Sequence, residues 1–199
     1  MYLRRICTFI TVLAFYAVIL CSCSGNTAVK SASALSDILR GDYECEISFT
    51  LGGDDIVEGT GKITKNGTVT RLDILSPEPY SGMSIEYDTE GLPQSVAVHF
   101  SGMSVTLPEG AVARLSPIAS LFADDFAASL SSLPKNDMTE YDSDGISGLC
   151  AAMKHDDADI NLYFSSDGSV PYALEYTKDG VCTDVIFNVF CPKVIEITE

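Results

Sequence analysis

The stretch YECEISFTL, Tyr43 to Leu51, sets Tyr43, Cys45, Ile47, Phe49 and Leu51 at one parity and Glu44, Glu46, Ser48 and Thr50 at the other. Successive side chains of a strand point to opposite faces, so this period of two describes a strand with one face covered and one wet. A helix would scatter the same five apolar residues around its circumference. The stretch therefore points to a sheet whose apolar face must be covered by something else in the chain.

Turn signals follow in close order: GGDD at 52–55, KNG at 65–67, SPEP at 76–79, DTEG at 88–91 and PEG at 108–110. Each bounds a run of strand length. Val57–Thr64, Val69–Leu75, Met83–Tyr87, Ser95–Phe100 and Ser104–Leu107 read as successive strands of an antiparallel meander, and KNG suits a tight hairpin. The period then becomes helical in SPIASLFADDFAASLSSL, Ser116 to Leu133, where Ile118, Leu121, Phe122, Phe126 and Leu130 share a face. Ser116 is placed to cap this helix and Pro117 to begin it. Strands resume at Thr139–Asp142, Gly148–Met153, Ile160–Phe164, Tyr172–Thr177 and Val181–Phe190, separated by DSDG, HDDAD, SSDGSVP and KDG. The expected class is mainly β (α+β): a curved antiparallel sheet, or half-barrel, of about eleven strands with the central helix as a lid. A bent sheet needs something to fill its hollow side, which favours this arrangement over a flat two-sheet sandwich.

Before Tyr43 the chain is read differently. ALSDILRGD suits a brief helix carrying Leu35, Ile38 and Leu39 on one face, and Ser24 to Ala34, SGNTAVKSASA, is small and polar enough for a flexible tether of about 18 Å. Further back, Arg4 and Arg5 precede an uncharged apolar run, Ile6 to Leu20, with the layout of an export signal. As a helix that run spans only about 22 Å, short of the ~30 Å hydrocarbon core, so cleavage is expected rather than a permanent span. LCSC, Leu20 to Cys23, resembles a bacterial lipobox, with small Ser22 before the cut and Cys23 as the lipidated first residue of the mature chain. The expected divisions are a lipoprotein signal peptide at 1–22, lipidated cysteine and tether at 23–34, and a single β domain at 35–199. The expected location is the extracytoplasmic face of the cell membrane, held there by the lipid on Cys23.

Loss of residues 1–22 leaves 10 basic residues against 28 acidic, a net charge of −18. Such a charge repels phosphate backbones, so nucleic acid is not expected as a partner. Cys45, Cys150, Cys182 and Cys191 could pair in three ways, but their spacings of 105, 32 and 9 residues hold no C-x-x-C. A single strand from Val181 to Phe190 would hold Cys182 and Cys191 about 30 Å apart. Buried free thiols are expected.

The order of elements, with GTGKI at Gly59–Ile63, RLDILSP at Arg71–Pro77, LSPIASLF at Leu115–Phe122 and ALEYTKDGVCTDVIFNV at Ala173–Val189, resembles the LolA-like lipoprotein carriers and their anchored relatives. The resemblance implies a half-barrel whose apolar lining shelters acyl chains from water. The candidate lining is Ile47, Phe49, Leu72, Ile74, Ile85, Val98, Phe187 and Val189, with Ile118, Leu121 and Phe122 from the lid. It implies a lipid or other apolar ligand. Because the family includes anchored spore-envelope lipoproteins that bind a wall-hydrolysing enzyme, it also implies an alternative, a docking module for an envelope or cell-wall protein. Alternating apolar positions in a sheet are, more often, plain core.

No catalytic residue, metal ligand or cofactor is assigned. His99 reads as a sheet residue and His155, in KHDDAD, as part of a solvated turn. DSDG lacks the later carboxylates of a calcium loop, and the proline in SLPK, Ser132 to Lys135, interrupts the helical turn a Ser-x-x-Lys pair needs.

Overall fold

The computed structural model describes residues 27–53, 55–88, 95–108, 118, 124–143, 145–155 and 157–193. The signal-like segment, Cys23, Leu121 and Phe122 lie outside the described residues. Each expected strand is present: β1 Tyr43–Leu51, β2 Val57–Asn66, β3 Val69–Ser76, β4 Ser84–Asp88, β5 Ser95–Phe100, β6 Met103–Pro108, β7 Met138–Ser143, β8 Ile146–His155, β9 Ala158–Phe164, β10 Pro171–Lys178 and β11 Val181–Pro192. They form one antiparallel sheet in the order β6-β5-β4-β3-β2-β1-β11-β10-β9-β8-β7. Thus β1, the strand legible first, is the seam: it pairs with β2 on one side and with the last strand, β11, on the other. The two edges, β6 and β7, do not pair, so the sheet curls without closing.

Local chemistry sets the curl. On β2 the inner positions are Gly59, Gly61, Ile63 and Lys65. A Cβ on Gly59 would strike the Phe49 ring and approach the Ser76 carbonyl to 2.6 Å, and one on Gly61 would lie 2.9 Å from Leu72 Cδ1. The missing side chains let Phe49 and Leu72 lie across β2. Breaks in register at Glu46/Ile47, Thr60/Gly61 and Pro171/Ala173 add twist, as an extra residue on one strand does.

Two helices are described. The helix α1, residues 27–40, is longer than expected and overturns the flexible tether over 27–34. Ser31, Ala32, Leu35, Ser36 and Leu39 are buried at helical spacing. The run looked like linker because its residues are small, yet small residues are what lets this helix lie close to its neighbours. Ser31 Oγ donates to the Ser166 carbonyl, and Ser36 Oγ donates to the Ala127 carbonyl at 2.6 Å. Gly168, at φ +75°, leaves room for the Ser31 backbone where a Cβ would collide with it. At the other end, wholly buried Lys65 donates to the Leu39 carbonyl at 2.9 Å, placing a cation where the helix leaves carbonyls unsatisfied. The second helix, α2, is Asp124–Ser131, and Ile118 before it is also helical. Phe126, Ala127 and Leu130 of α2 are buried.

Strand directions define two poles. One holds the β2–β3 and β9–β10 turns and both ends of α1; the other holds the β5–β6 and β10–β11 turns and His155, with its Nε2 3.7 Å from Asp125 of α2. Here the solvated-turn reading of His155 is corrected. Its side chain is 9% exposed and its ring meets Phe126 edge-on at 5.9 Å, because the end of β8 runs under α2.

Candidate functional site

The concave face is the candidate site. Ile47, Phe49, Leu72, Ile74, Ile85 and Val98 all point inward and are buried, and Ile118 reaches the same cluster from the helical side. Phe187 is half-buried against it. Val189 is not part of this lining: it pairs with Glu46 on the outer face and is 47% exposed. Strict alternation puts Phe187 and Val189 together, but β11 carries an extra residue there. Ile47 faces Phe187 while Cys45 faces Phe190, so parity flips between them and Phe190 takes the inner position.

The lining extends beyond the residues that the sequence marks as candidates. Tyr43, Ile63 and Val185 lie on the inner face, as do Met153, Ile160, Leu162, Phe164, Leu174 and Tyr176 from the second half of the sheet. Period-two alternation in those strands was the available signal. Leu35 and Leu39 of α1 pack on the same cluster. Over these strands the hollow is occupied by the chain's own side chains.

At β5 and β6 the same face changes character. Inner pairs Val98↔Val105 and Phe100↔Met103 continue the apolar row. Val98 is buried, but Phe100, Met103 and Val105 are 45%, 65% and 52% exposed. The apolar face thus runs from covered core to an open end at the β5–β6 hairpin. Ser101 and Gly102 turn that hairpin at φ 52° and 81°, a two-residue turn of the left-handed kind. A groove of about 300 Å³ adjoins it, lined by Arg71, Ser84, His99 and the hairpin tip. On the outer floor Arg71 donates to Asp73 and Ser84, each at 2.8 Å, and His99 Nε2 lies 3.8 Å from Glu86.

Two larger grooves have mixed linings. One of about 480 Å³ separates the start of α1 from Met138, Tyr141 and Leu149, and one of about 420 Å³ lies beside Phe49, Glu58, Asp184 and Ile186. Among the described residues no three His, Cys, Asp or Glu side chains come together as a metal set. Ser132 Oγ donates to the Ser129 carbonyl at 2.9 Å, and Pro134 leads into a separate 3-10 turn over Lys135–Asp137. The four described cysteines are free thiols, as expected, but only Cys45 is buried; Cys182 and Cys191 are exposed. Burial pushes the Cys45 thiol up to about 12, and burial also raises Cys150.

No family model matches the chain, and no curated protein matches it. Similar solved structures include an uncharacterized conserved protein from Thermus thermophilus, at 11% identity over 81% of this chain and 85% of that one, TM-score 0.48. They include the lipoprotein LppX of Mycobacterium tuberculosis, at 10% identity over 84% of this chain and 96% of that one, TM-score 0.46. A LolA superfamily protein from Nitrosomonas europaea matches at 9% identity over 84% of this chain and 94% of that one, TM-score 0.38. These are likenesses at low identity, each with a TM-score below 0.5.

Proposed function

We propose that this chain is a non-catalytic, envelope-facing lipoprotein, anchored through Cys23, whose curved sheet takes an acyl chain or other apolar ligand along its concave face. The observation that carries this reading is the apolar row that leaves the core uncovered at Phe100, Met103 and Val105. Apolar surface of this kind gains from removal from water, and an extended hydrocarbon laid along the row would cover it. Since α1 is already helical at Thr27, three residues separate Cys23 from the fold, four Cα steps with a reach of about 14 Å. The pole with the β9–β10 turn then faces the bilayer and the β5–β6 tip faces away from it, an orientation for presenting a ligand outward.

The filled hollow over β1–β3 favours a second reading, a docking module for an envelope protein. Solvent extraction and mass spectrometry of the purified full chain separates the two. Stoichiometric lipid or fatty acid supports the ligand reading. A chain free of lipid that retains an envelope or cell-wall protein through purification supports docking.

A further inference from the structure

We infer that the ligand is an anionic amphiphile, its carboxylate or phosphate head held by Arg71 in the groove beside the β5–β6 hairpin while its acyl chain lies on the apolar row, an assignment that rests on the acyl-ligand reading. Phe100 and Met103, where the row ends, are also walls of that groove, and its other walls include Arg71, Ser84, His99 and Ser104. A chain on the inner face can therefore turn its head round the hairpin tip onto a polar floor. Apolar walls with a few placed polar groups are what fixes a ligand's orientation as well as burying its surface.

Arg71 is prepared for an anion. Its Nε donates to Asp73 Oδ1 and its Nη2 to Ser84 Oγ, each at 2.8 Å, and Ser84 donates on to the same Asp73 oxygen. These bonds fix one edge of an exposed guanidinium. They leave over Nη1 and the second Nη2 proton, a parallel pair of N–H groups that matches a carboxylate or phosphate. Two acids share the floor. Asp73 is spent on Arg71 and Ser84, and Glu86, opposite Arg71 in the β3–β4 register, lies 3.8 Å from His99 Nε2. Neither is a wall of the groove. From Ser95 to Pro108 the hairpin carries no carboxylate, in a chain with 28. A net charge of −16 repels anions from most of the surface, so a guanidinium beside a carboxylate-free hairpin is a favoured point of approach.

Isothermal titration of the full chain with dodecanoate, dodecyl phosphate, methyl dodecanoate and inorganic phosphate tests this, the amphiphiles being kept below their micelle concentrations. Dodecanoate and dodecyl phosphate should each bind at least about tenfold more tightly than methyl dodecanoate, as one charge-assisted contact provides, and inorganic phosphate should not compete. Arg71→Gln should erase that preference while leaving methyl dodecanoate within about twofold, and Arg71→Lys, which keeps the charge without the fork, should retain part of it. Because loss of Arg71 also unties Asp73, a second variant is needed. Ser104→Glu, at an exposed site opposite His99, adds like charge to the groove and should erase the preference with the melting temperature unchanged. Equal affinity of the parent for dodecanoate and its methyl ester overturns the inference, as does a preference that survives both Arg71→Gln and Ser104→Glu. So does inorganic phosphate binding as tightly as dodecyl phosphate, since the chain then contributes nothing. In each of these cases saturable binding of the methyl ester leaves the acyl-ligand reading standing, whereas saturable binding of none of the amphiphiles overturns both.

Discussion

Individual side chains behave according to where parity and turns put them. Cys45, on the inner face with its thiol pushed up to about 12, should resist iodoacetamide at pH 8 until the chain unfolds. Exposed Cys191 and Cys182 should be alkylated in the native state. Native labelling of Cys45 at their rate, read by peptide mass spectrometry, would contradict the assigned face. Asp167 offers a sign for acid. Its carboxylate accepts from Ser165 Oγ at 2.6 Å and Ser169 Oγ at 2.7 Å, and these bonds lower it from the ordinary 3.8 to about 2. Since the folded value lies below the unfolded one, the turn's contribution is full above about 3.8 and is lost as pH falls through 2. A carboxyl NMR titration of Asp167 should show a midpoint near 2; one near 3.8 means the β9–β10 turn is not closed this way. The residue scale is also where alternation failed. Val189 reads as lining until one extra residue in β11 is known, and a bulge has no signature in an apolar run such as VIFNVF.

At the scale of elements, the strands were legible because the turns are marked by Gly, Pro, Asn or Asp and most strands between them alternate. The helix α1 was not, since Thr27 to Ala34 is small and polar and helix formation there depends on close packing with the sheet and α2. That dependence is testable. Leu35→Ala removes a wholly buried side chain between helix and sheet and should cost about 2–5 kcal/mol in denaturant unfolding. A change below about 0.5 kcal/mol, the size of a surface substitution, would mean that α1 does not pack on the sheet at Leu35. On β2, Gly59→Val should destabilise by about 1–3 kcal/mol or more because its branches meet Phe49 and the Ser76 carbonyl. If the variant melts with the parent, the sheet does not curl where Phe49 crosses β2.

For the whole molecule, the sequence disclosed the sheet, its apolar face and part of the lining, chiefly from the first half of the sheet, but not where that face is open. Openness depends on how far the two helices reach across eleven strands, and alternation carries no information about reach. The proposed ligand-binding role rests on the uncovered row at the β5–β6 hairpin. Titration of the full chain with a fluorescent fatty acid, beside Phe100→Asp, tests it most directly. Phe100 is already half exposed, so the substitution should leave the melting temperature within a few degrees while placing a charge on the row that meets the hydrocarbon. The account predicts saturable binding by the parent and at least a tenfold loss in affinity for the variant, equal to about 1.4 kcal/mol. Equal binding by both chains, or saturable binding by neither, would contradict it.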